Sequence, residues 1–166
     1  MRPAYEAMSL ASKISEAFSS RTRPEAVIES HAPGTDEYSD AQAFAGREWR
    51  ELSEDDWREH SAAIFGLSPE AFRYYLPSIL HLSVSSNHVD MLGIDALIGM
   101  LDRSNTPSSW DQFFRERWTG FTPAEYQVLQ EWLIRLSSEP GMKFASQRLG
   151  RASDTVSILA NAGDPG

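Results

Sequence analysis

The sequence predicts an all-α protein, a single compact multi-helix domain around a central helix that contains a proline. Apolar residues recur at helical spacing in most segments, and many of these segments open at a capping residue and close at glycine or proline. No run alternates apolar and polar residues between turn signals, as a half-buried strand would. At 166 residues, 41 % of them hydrophobic, the chain is long enough for one substantial core. Residues 1–166 are therefore interpreted as one helical domain.

The central helix is predicted to begin at Ser68, a good N-cap, with Pro69 in the first helical position. Helical spacing places an apolar face on one side of it and a more polar face on the other. The polar face consists of Arg73, Tyr74, Pro77, Ser78, His81 and Ser85. Because Pro77 lacks the amide hydrogen that would bond the carbonyl of Arg73, a kink is expected there.

Three helices are predicted before the central one. Their predicted spans are 5–18, 35–45 and 53–65, so that residues 1–34 hold an N-terminal helix and a connector. Thr35 and Ser53 are the predicted N-caps of the second and third helices. Gly46 and Gly66 are the predicted stops.

Four helices are predicted after it, with spans of about 88–102, 108–118, 122–138 and 142–160. Ser108 with Asp111, and Thr122 with Glu125, resemble capping boxes. The last span is expected to be interrupted at Gly150 and Ser153. Residues 163–166 are expected to be a mobile terminus.

Composition excludes several classes of protein. The absence of cysteine rules out disulfides, thiolate catalysis and cysteine zinc sites. A net charge of −9 argues against nucleic-acid binding and favours a basic protein partner, although acidity that serves only solubility stays open. The sequence begins without a signal-peptide pattern, and its longest apolar stretch is far shorter than the roughly 20 residues that span a bilayer. A cytoplasmic protein that binds no membrane is expected.

The order of motifs resembles a known family. The motifs are Phe44-x-Gly46-x-x-Trp49-x-x-Leu52, then Leu67-Ser68-Pro69-Glu70-Ala71-Phe72-Arg73-Tyr74-Tyr75-Leu76-Pro77, then Trp118-x-x-Phe121-Thr122 before an apolar helix. Over about residues 14–136 this is similar to a family of small bacterial proteins known only as a domain of unknown function. The resemblance implies the same order of helices but supplies no activity or catalytic residue. Small acidic bacterial proteins of this sort are often immunity partners of toxins, by analogy of class.

No enzyme motif is present: the chain has no nucleophile elbow, zinc-protease helix, phosphate loop or dinucleotide fingerprint. The four histidines are His31, His60, His81 and His88. None has another at the four-residue helical spacing that aims two imidazoles at one metal, so no metal or other cofactor is expected.

Three groups of residues invite a functional and a structural interpretation. Arg73 and His81 flank Pro77 and suit the binding of a partner's carboxylate, but Arg73 pairing with an acidic residue of the preceding helix is the favoured alternative. The acidic segment, which comprises Glu51, Glu54, Asp55, Asp56 and Glu59, suits docking of a basic protein or is simply a solvated helix start. Trp110, Phe114, Arg117 and Trp118 form either an aromatic ligand patch or core with an arginine on its rim.

The leading hypothesis is a non-enzymatic protein that binds a basic partner, as an immunity protein or antitoxin does. Its candidate partner-binding residues are Glu54, Asp55, Asp56, Trp57, Glu59, His60, Arg73, Tyr74 and His81. The carboxylates would steer association, and the exposed members of Trp57, His60, Tyr74 and His81 would anchor it. One alternative is a small-molecule or hydrolytic site near Pro77, with Arg73 holding an anion and His81 as acid or base. Another is a structural subunit whose helix over residues 89–101 forms an oligomer interface.

Overall fold

The structure, a computed structural model, describes residues 8–85 and 92–162. These residues form nine α-helices, and no strand is found among them. The helices are α1 Leu10–Ala17, α2 Asp36–Gln42, α3 Glu54–Glu59, α4 Ala63–Gly66, α5 Pro69–Ser85, α6 Leu92–Leu101, α7 Gln112–Trp118, α8 Pro123–Ser137 and α9 Ser146–Ala162. Short 3-10 turns occupy Trp49–Glu51, Pro107–Ser109 and Pro140–Ala145. The all-α prediction is confirmed.

Helix α5 is the centre of the fold, since it packs against α1, α6, α7 and the turn at Trp49. Its start is the predicted one: the Ser68 hydroxyl accepts a hydrogen bond from the amide of Ala71 at 3.2 Å. The helix continues through Pro77 to Ser85. The predicted polar face is wrong in part, because Tyr74, Pro77 and Ser78 are all buried. A helix with neighbours on several sides has no wholly solvent-facing side.

Several helix starts and stops follow their predicted local chemistry. Thr122 and Glu125 form the predicted capping box of α8, with Pro123 in its first turn. Ser53 caps α3, and its box is completed by Asp56. Helix α2 ends at Gln42, three residues before the predicted end, and Gly46 lies in the loop that follows, with a φ of 80° that favours glycine.

The single helix predicted over residues 53–65 is wrong. Helix α3 ends at Glu59, and His60 leaves the helical conformation with φ −116° and ψ 52°. The carboxylate of Asp40 accepts from the amide of Ala62 at 3.1 Å and also lies 3.5 Å from the His60 ring. These contacts with α2 give the amide of Ala62 a partner outside the helix, and the chain restarts as α4.

Two C-terminal predictions are also corrected. Asp111, rather than Ser108, caps α7, because its side chain accepts from the amide of Phe114 at 2.8 Å. Helix α9 is not interrupted at Gly150 or Ser153 but runs from Ser146 to Ala162. Its buried residues pack against α8 and α6, so tertiary packing outweighs the weak local propensity.

Some predicted features lie outside the described residues. They are the part of the first helix before residue 8, the start of the helix at His88 with Val89, and the terminus at residues 163–166. Within the described ranges, no helix is both long and apolar enough to cross a bilayer.

Candidate functional site

The tyrosines of the Phe-Arg-Tyr-Tyr-Leu-Pro string bind the loop between α2 and the turn at Trp49. The Tyr74 hydroxyl donates to Oε2 of Glu48 at 2.5 Å and accepts from the amide of Trp49 at 3.4 Å. The Tyr75 hydroxyl lies 2.7 Å from the carbonyl oxygens of both Phe44 and Arg47. Burial, and for Tyr74 also the bond to Glu48, raises the pKa of each phenol to about 12, so both remain neutral donors at pH 7.

Arg73 of the same string binds the C-terminal end of α7. Its Nη1 donates to the carbonyl oxygens of Glu116 at 2.6 Å and Arg117 at 3.3 Å. A guanidinium at this end of a helix satisfies free carbonyls and complements the helix dipole. The favoured prediction that Arg73 pairs with an acidic residue of the preceding helix is therefore wrong. Arg73 nevertheless has a structural role, as that prediction supposed.

His81 lies in a different environment from Arg73. It lines a cleft of about 140 Å³ whose other walls include Trp49, Arg50 and Leu52, and Arg73 is not one of them. Burial, together with the nearby charge of Arg50, lowers the pKa of His81, which is therefore neutral at pH 7. The two residues are about 12 Å apart along the helix axis and contact different elements. The structure does not bring them together as an anion holder and an acid or base.

The carboxylates of the acidic segment divide into two groups. Asp56 faces inward: both its oxygens bond the guanidinium of Arg47, at 3.1 and 3.0 Å, and Oδ2 accepts from the amide of Ser53 at 2.8 Å. The bond to Arg47 is the main reason that the pKa of Asp56 falls to about 2. This carboxylate joins α3 to the loop after α2.

The remaining carboxylates of the segment lie nearer to water. Asp55 pairs with Arg58 at 2.7 Å, and its side chain is 88 % exposed. Glu51 and Glu59 are also exposed, while Glu54 is half-buried. Exposed ion pairs such as Asp55 with Arg58 are weak, so the Asp55 carboxylate remains accessible to a partner. The accessible negative charge of this segment is carried chiefly by Glu51, Asp55 and Glu59.

The predicted anchor residues differ in exposure. Trp57 is 4 % exposed and donates through Nε1 to the hydroxyl of Ser78 at 2.8 Å, and Tyr74 is 3 % exposed. Neither is a surface anchor, because each contributes its ring to the core. His60 and His81 are half-buried, and His60 lies between Asp40 and the ring of Phe44. These two histidines are the predicted anchors that a partner could still touch.

The aromatic stripe of α7 belongs to the core. Trp110, Phe114 and Trp118 are buried, and so is Arg117, which is 7 % exposed. The guanidinium of Arg117 stacks 3.7 Å from the centre of the Phe113 ring and donates to the carbonyl of Leu67 at 2.8 Å. The core interpretation is therefore the right one, except that the arginine is buried with the rings.

Sequence reasoning missed the partners that position these side chains. Asp40, Arg47 and Glu48 are not among the predicted site residues, yet each bonds one of them. The spacing of Ser53 and Asp56 was a usable signal of a capping box. No local sequence pattern indicates the hydrogen-bonding roles of Asp40 and Glu48, because their partners are distant in sequence. Among the described residues, no three histidine or acidic side chains are arranged to hold a metal ion.

Together these features define a small acidic helical domain in which the most recognisable sequence motif is largely buried, while Glu51, Asp55 and Glu59 of the acidic segment are exposed. The chain belongs to the Family of unknown function (DUF6714), whose model matches residues 6–146. The resemblance to a family of unknown function is thereby confirmed. No curated protein and no solved structure matched the chain.

Proposed function

We propose that this protein is a non-enzymatic binding protein of bacterial origin, and that it recognises a basic protein through the exposed carboxylates Glu51, Asp55 and Glu59. The observation that carries the proposal is the exposure of these three carboxylates within nine residues of chain. Exposed carboxylates attract a basic surface and accelerate encounter with it, and Arg50 and Arg58 of the same segment, which are also exposed, reduce the net negative charge there. Because Asp56 is held by Arg47, the segment is fixed at its centre to the loop after α2.

The two alternatives receive less support from the geometry. A site near Pro77 would need Arg73 and His81 together, and they contact different elements. An oligomer interface on the helix that includes α6 would need its apolar residues free, yet Ile94, Leu97, Ile98 and Leu101 are buried within the chain. Binding through the acidic segment uses side chains that the fold leaves in water.

The role that fits such a surface best is that of an immunity protein or antitoxin-like inhibitor. Basic toxins that act on nucleic acids need their positive surface to bind substrate. An acidic domain bound to that surface would block it, and the association would weaken with salt. The partner class is therefore a basic protein whose activity harms its own host.

The proposal is tested by capture of partners from host lysate at low and high salt. The variant carries Glu51→Lys, Asp55→Lys and Glu59→Lys, and the matched control carries Glu16→Lys, Glu25→Lys and Asp154→Lys, which make the same change of charge at exposed positions elsewhere. A basic protein captured by wild type and control at low salt, but lost with the variant and at high salt, is the expected result. Circular dichroism establishes that both variants are folded.

The inhibitory role has its own test. The captured protein, expressed alone, should slow growth, and co-expression of the wild-type domain should restore it while the Glu51, Asp55 and Glu59 variant should not. Equal capture by the variant and the control would contradict docking through this segment. A captured partner that is harmless when expressed alone would contradict the inhibitory role but leave the docking surface intact.

A further inference from the structure

A cleft of about 520 Å³ lies on another part of the molecule, between the turn Pro107–Ser109, α7, α8 and the last turns of α9. Its volume is in the range of roughly 300 to 1,000 Å³ that small-molecule sites occupy. Trp110, Tyr126, Ile158 and Leu159 contribute to its walls, and Arg115 also lines it. None of these residues belongs to the acidic segment, so the cleft is independent of the proposed docking surface.

The walls of the cleft are mainly carbon because the polar tips of its aromatic residues are bonded elsewhere. The hydroxyl of Tyr126 donates to the carbonyl of Trp118 at 2.6 Å, and Nε1 of Trp110 donates to the carbonyl of Ser104 at 2.9 Å. Ile158 and Leu159 add aliphatic surface. A ligand would therefore gain most by placing an apolar body against these walls.

Arg115 supplies a fixed positive charge at the same cleft. Its Nη2 donates to the carbonyls of Pro107 at 2.9 Å and Ser108 at 3.0 Å, which hold the guanidinium in place. Asp111, one turn earlier, is already bonded to Arg103 at 3.1 Å and to the amide of Phe114. Among the described residues, no carboxylate lies within ion-pair distance of Arg115, and its Nε and Nη1 donors make no hydrogen bond.

We propose that this cleft binds a small organic anion with an apolar body, such as a medium-chain fatty acid. The carboxylate pairs with Arg115, and the body lies against Trp110, Tyr126 and Ile158. A guanidinium already held by two carbonyls loses little freedom when it forms a charge-assisted bond to a carboxylate. The positive charge of Arg115 disfavours an organic cation at this cleft. A neutral alcohol of the same chain length as the acid contacts the apolar walls but forms no ion pair with Arg115.

The test is calorimetric titration of the full chain with decanoate, decanol and decylammonium, each below its aggregation concentration. Decanoate should bind one saturable site, decanol more weakly and decylammonium weakest. Arg115→Gln should weaken decanoate roughly tenfold, the usual loss for a hydrogen bond to a charged group, and leave decanol unchanged. Arg58→Gln, which removes an exposed arginine outside the cleft, should change neither affinity.

Variants that fill the cleft with a large side chain test whether the ligand binds there or elsewhere on the protein. Ile158→Trp should abolish binding of both decanoate and decanol, with Ala162→Trp, at the exposed last residue of α9, as a second blocking variant if the first fails to fold. The absence of saturable decanoate binding to wild type would overturn the proposal, as would binding that neither blocking variant affects. Self-association that Ile158→Trp abolishes, measured by light scattering, would assign the cleft to a second copy of the chain and overturn it too.

Discussion

Two carboxylates, Asp56 and Glu125, complete the capping boxes at the third position of their helices, and each also pairs with an arginine from elsewhere in the chain. Glu125 accepts from the amide of Thr122 at 2.7 Å and from Arg21, 104 residues distant, at 2.6 and 2.7 Å. Asp56 has the same arrangement with Ser53 and Arg47. One carboxylate thus satisfies a free helix amide, complements the dipole and fixes a distant segment. This double role explains why Glu125 is buried in a protein with abundant surface acid.

The Asp56 pair makes stability depend on pH in a defined direction. The pKa of Asp56 is about 2 in the fold and 3.8 ordinarily, so the unfolded chain takes up the proton first as pH falls. Its stabilisation is therefore complete well above pH 3.8, declines as pH falls towards 2 and is absent below. Asp56→Asn should lower the free energy of unfolding by about 1 to 2 kcal/mol at pH 7.

Urea unfolding of wild type and Asp56→Asn across this pH range measures the difference directly. The difference in the free energy of unfolding between the two proteins should disappear as pH approaches 2. Asp154→Asn, at an exposed position on α9, should match wild type at every pH. A difference in the free energy of unfolding that stays constant down to pH 2 would show that the asparagine side chain disturbs packing and that the charge of Asp56 is unimportant.

At the scale of helices, local chemistry predicted most starts, while distant contacts decided where the pattern failed. Ser68 and Thr122 were predictable as caps because each bonds an amide within its own first turn. The break between α3 and α4 was not, because it depends on Asp40, 22 residues before the amide it accepts from. The burial of Tyr74 was equally hidden, since Glu48 and Trp49 cover it from another element.

Two glycines in helices should respond oppositely to alanine. A Cβ on Gly66 would lie 2.0 Å from the carbonyl oxygen of Glu37, so α2 would have to move away from α4. Gly66→Ala should therefore cost roughly 3 kcal/mol or more. A Cβ on Gly150 meets nothing within 4 Å, and alanine in the interior of α9 should stabilise the protein by about 0.5 to 1 kcal/mol.

Thermal unfolding of the two variants checks this contrast, with each acting as the control for the other. Gly66→Ala should unfold at a lower temperature than wild type and Gly150→Ala at a higher one. A Gly66→Ala protein as stable as wild type would mean that α2 and α4 are not held at this close approach.

At the scale of the whole molecule, the sequence predicted the location of the acidic segment but not its division into inner and outer carboxylates. Spacing alone placed Asp55 and Asp56 in one helical turn. Only the position of Arg47, in the loop after α2, decides that Asp56 faces inward while Asp55 faces water. The sequence did not predict the cleft lined by Arg115 either. Its walls come from the turn Pro107–Ser109, α7, α8 and α9, which only the fold brings together.

Helix α9 begins where the match to the family model ends, at residue 146, yet it completes the core. It buries Leu149, Val156 and Leu159, and Arg148 pairs with Asp95 of α6 while Arg151 pairs with Asp102, the residue after α6. Each large apolar side chain contributes roughly 1.5 to 3 kcal/mol when buried. Their combined contribution is comparable to the roughly 5 to 15 kcal/mol by which a whole domain is stable.

Removal of the chain from residue 146 onwards should therefore abolish the cooperative unfolding transition at 25 °C. Loss of the near-ultraviolet circular dichroism of the core tryptophans, such as Trp132 on α8, reports the collapse of packing. A chain ending at Ala145 that still unfolds cooperatively at the wild-type temperature would show that α1 to α8 form a complete domain. In that case α9 would be an addition to the family fold, and its packing on α8 would contribute little to stability.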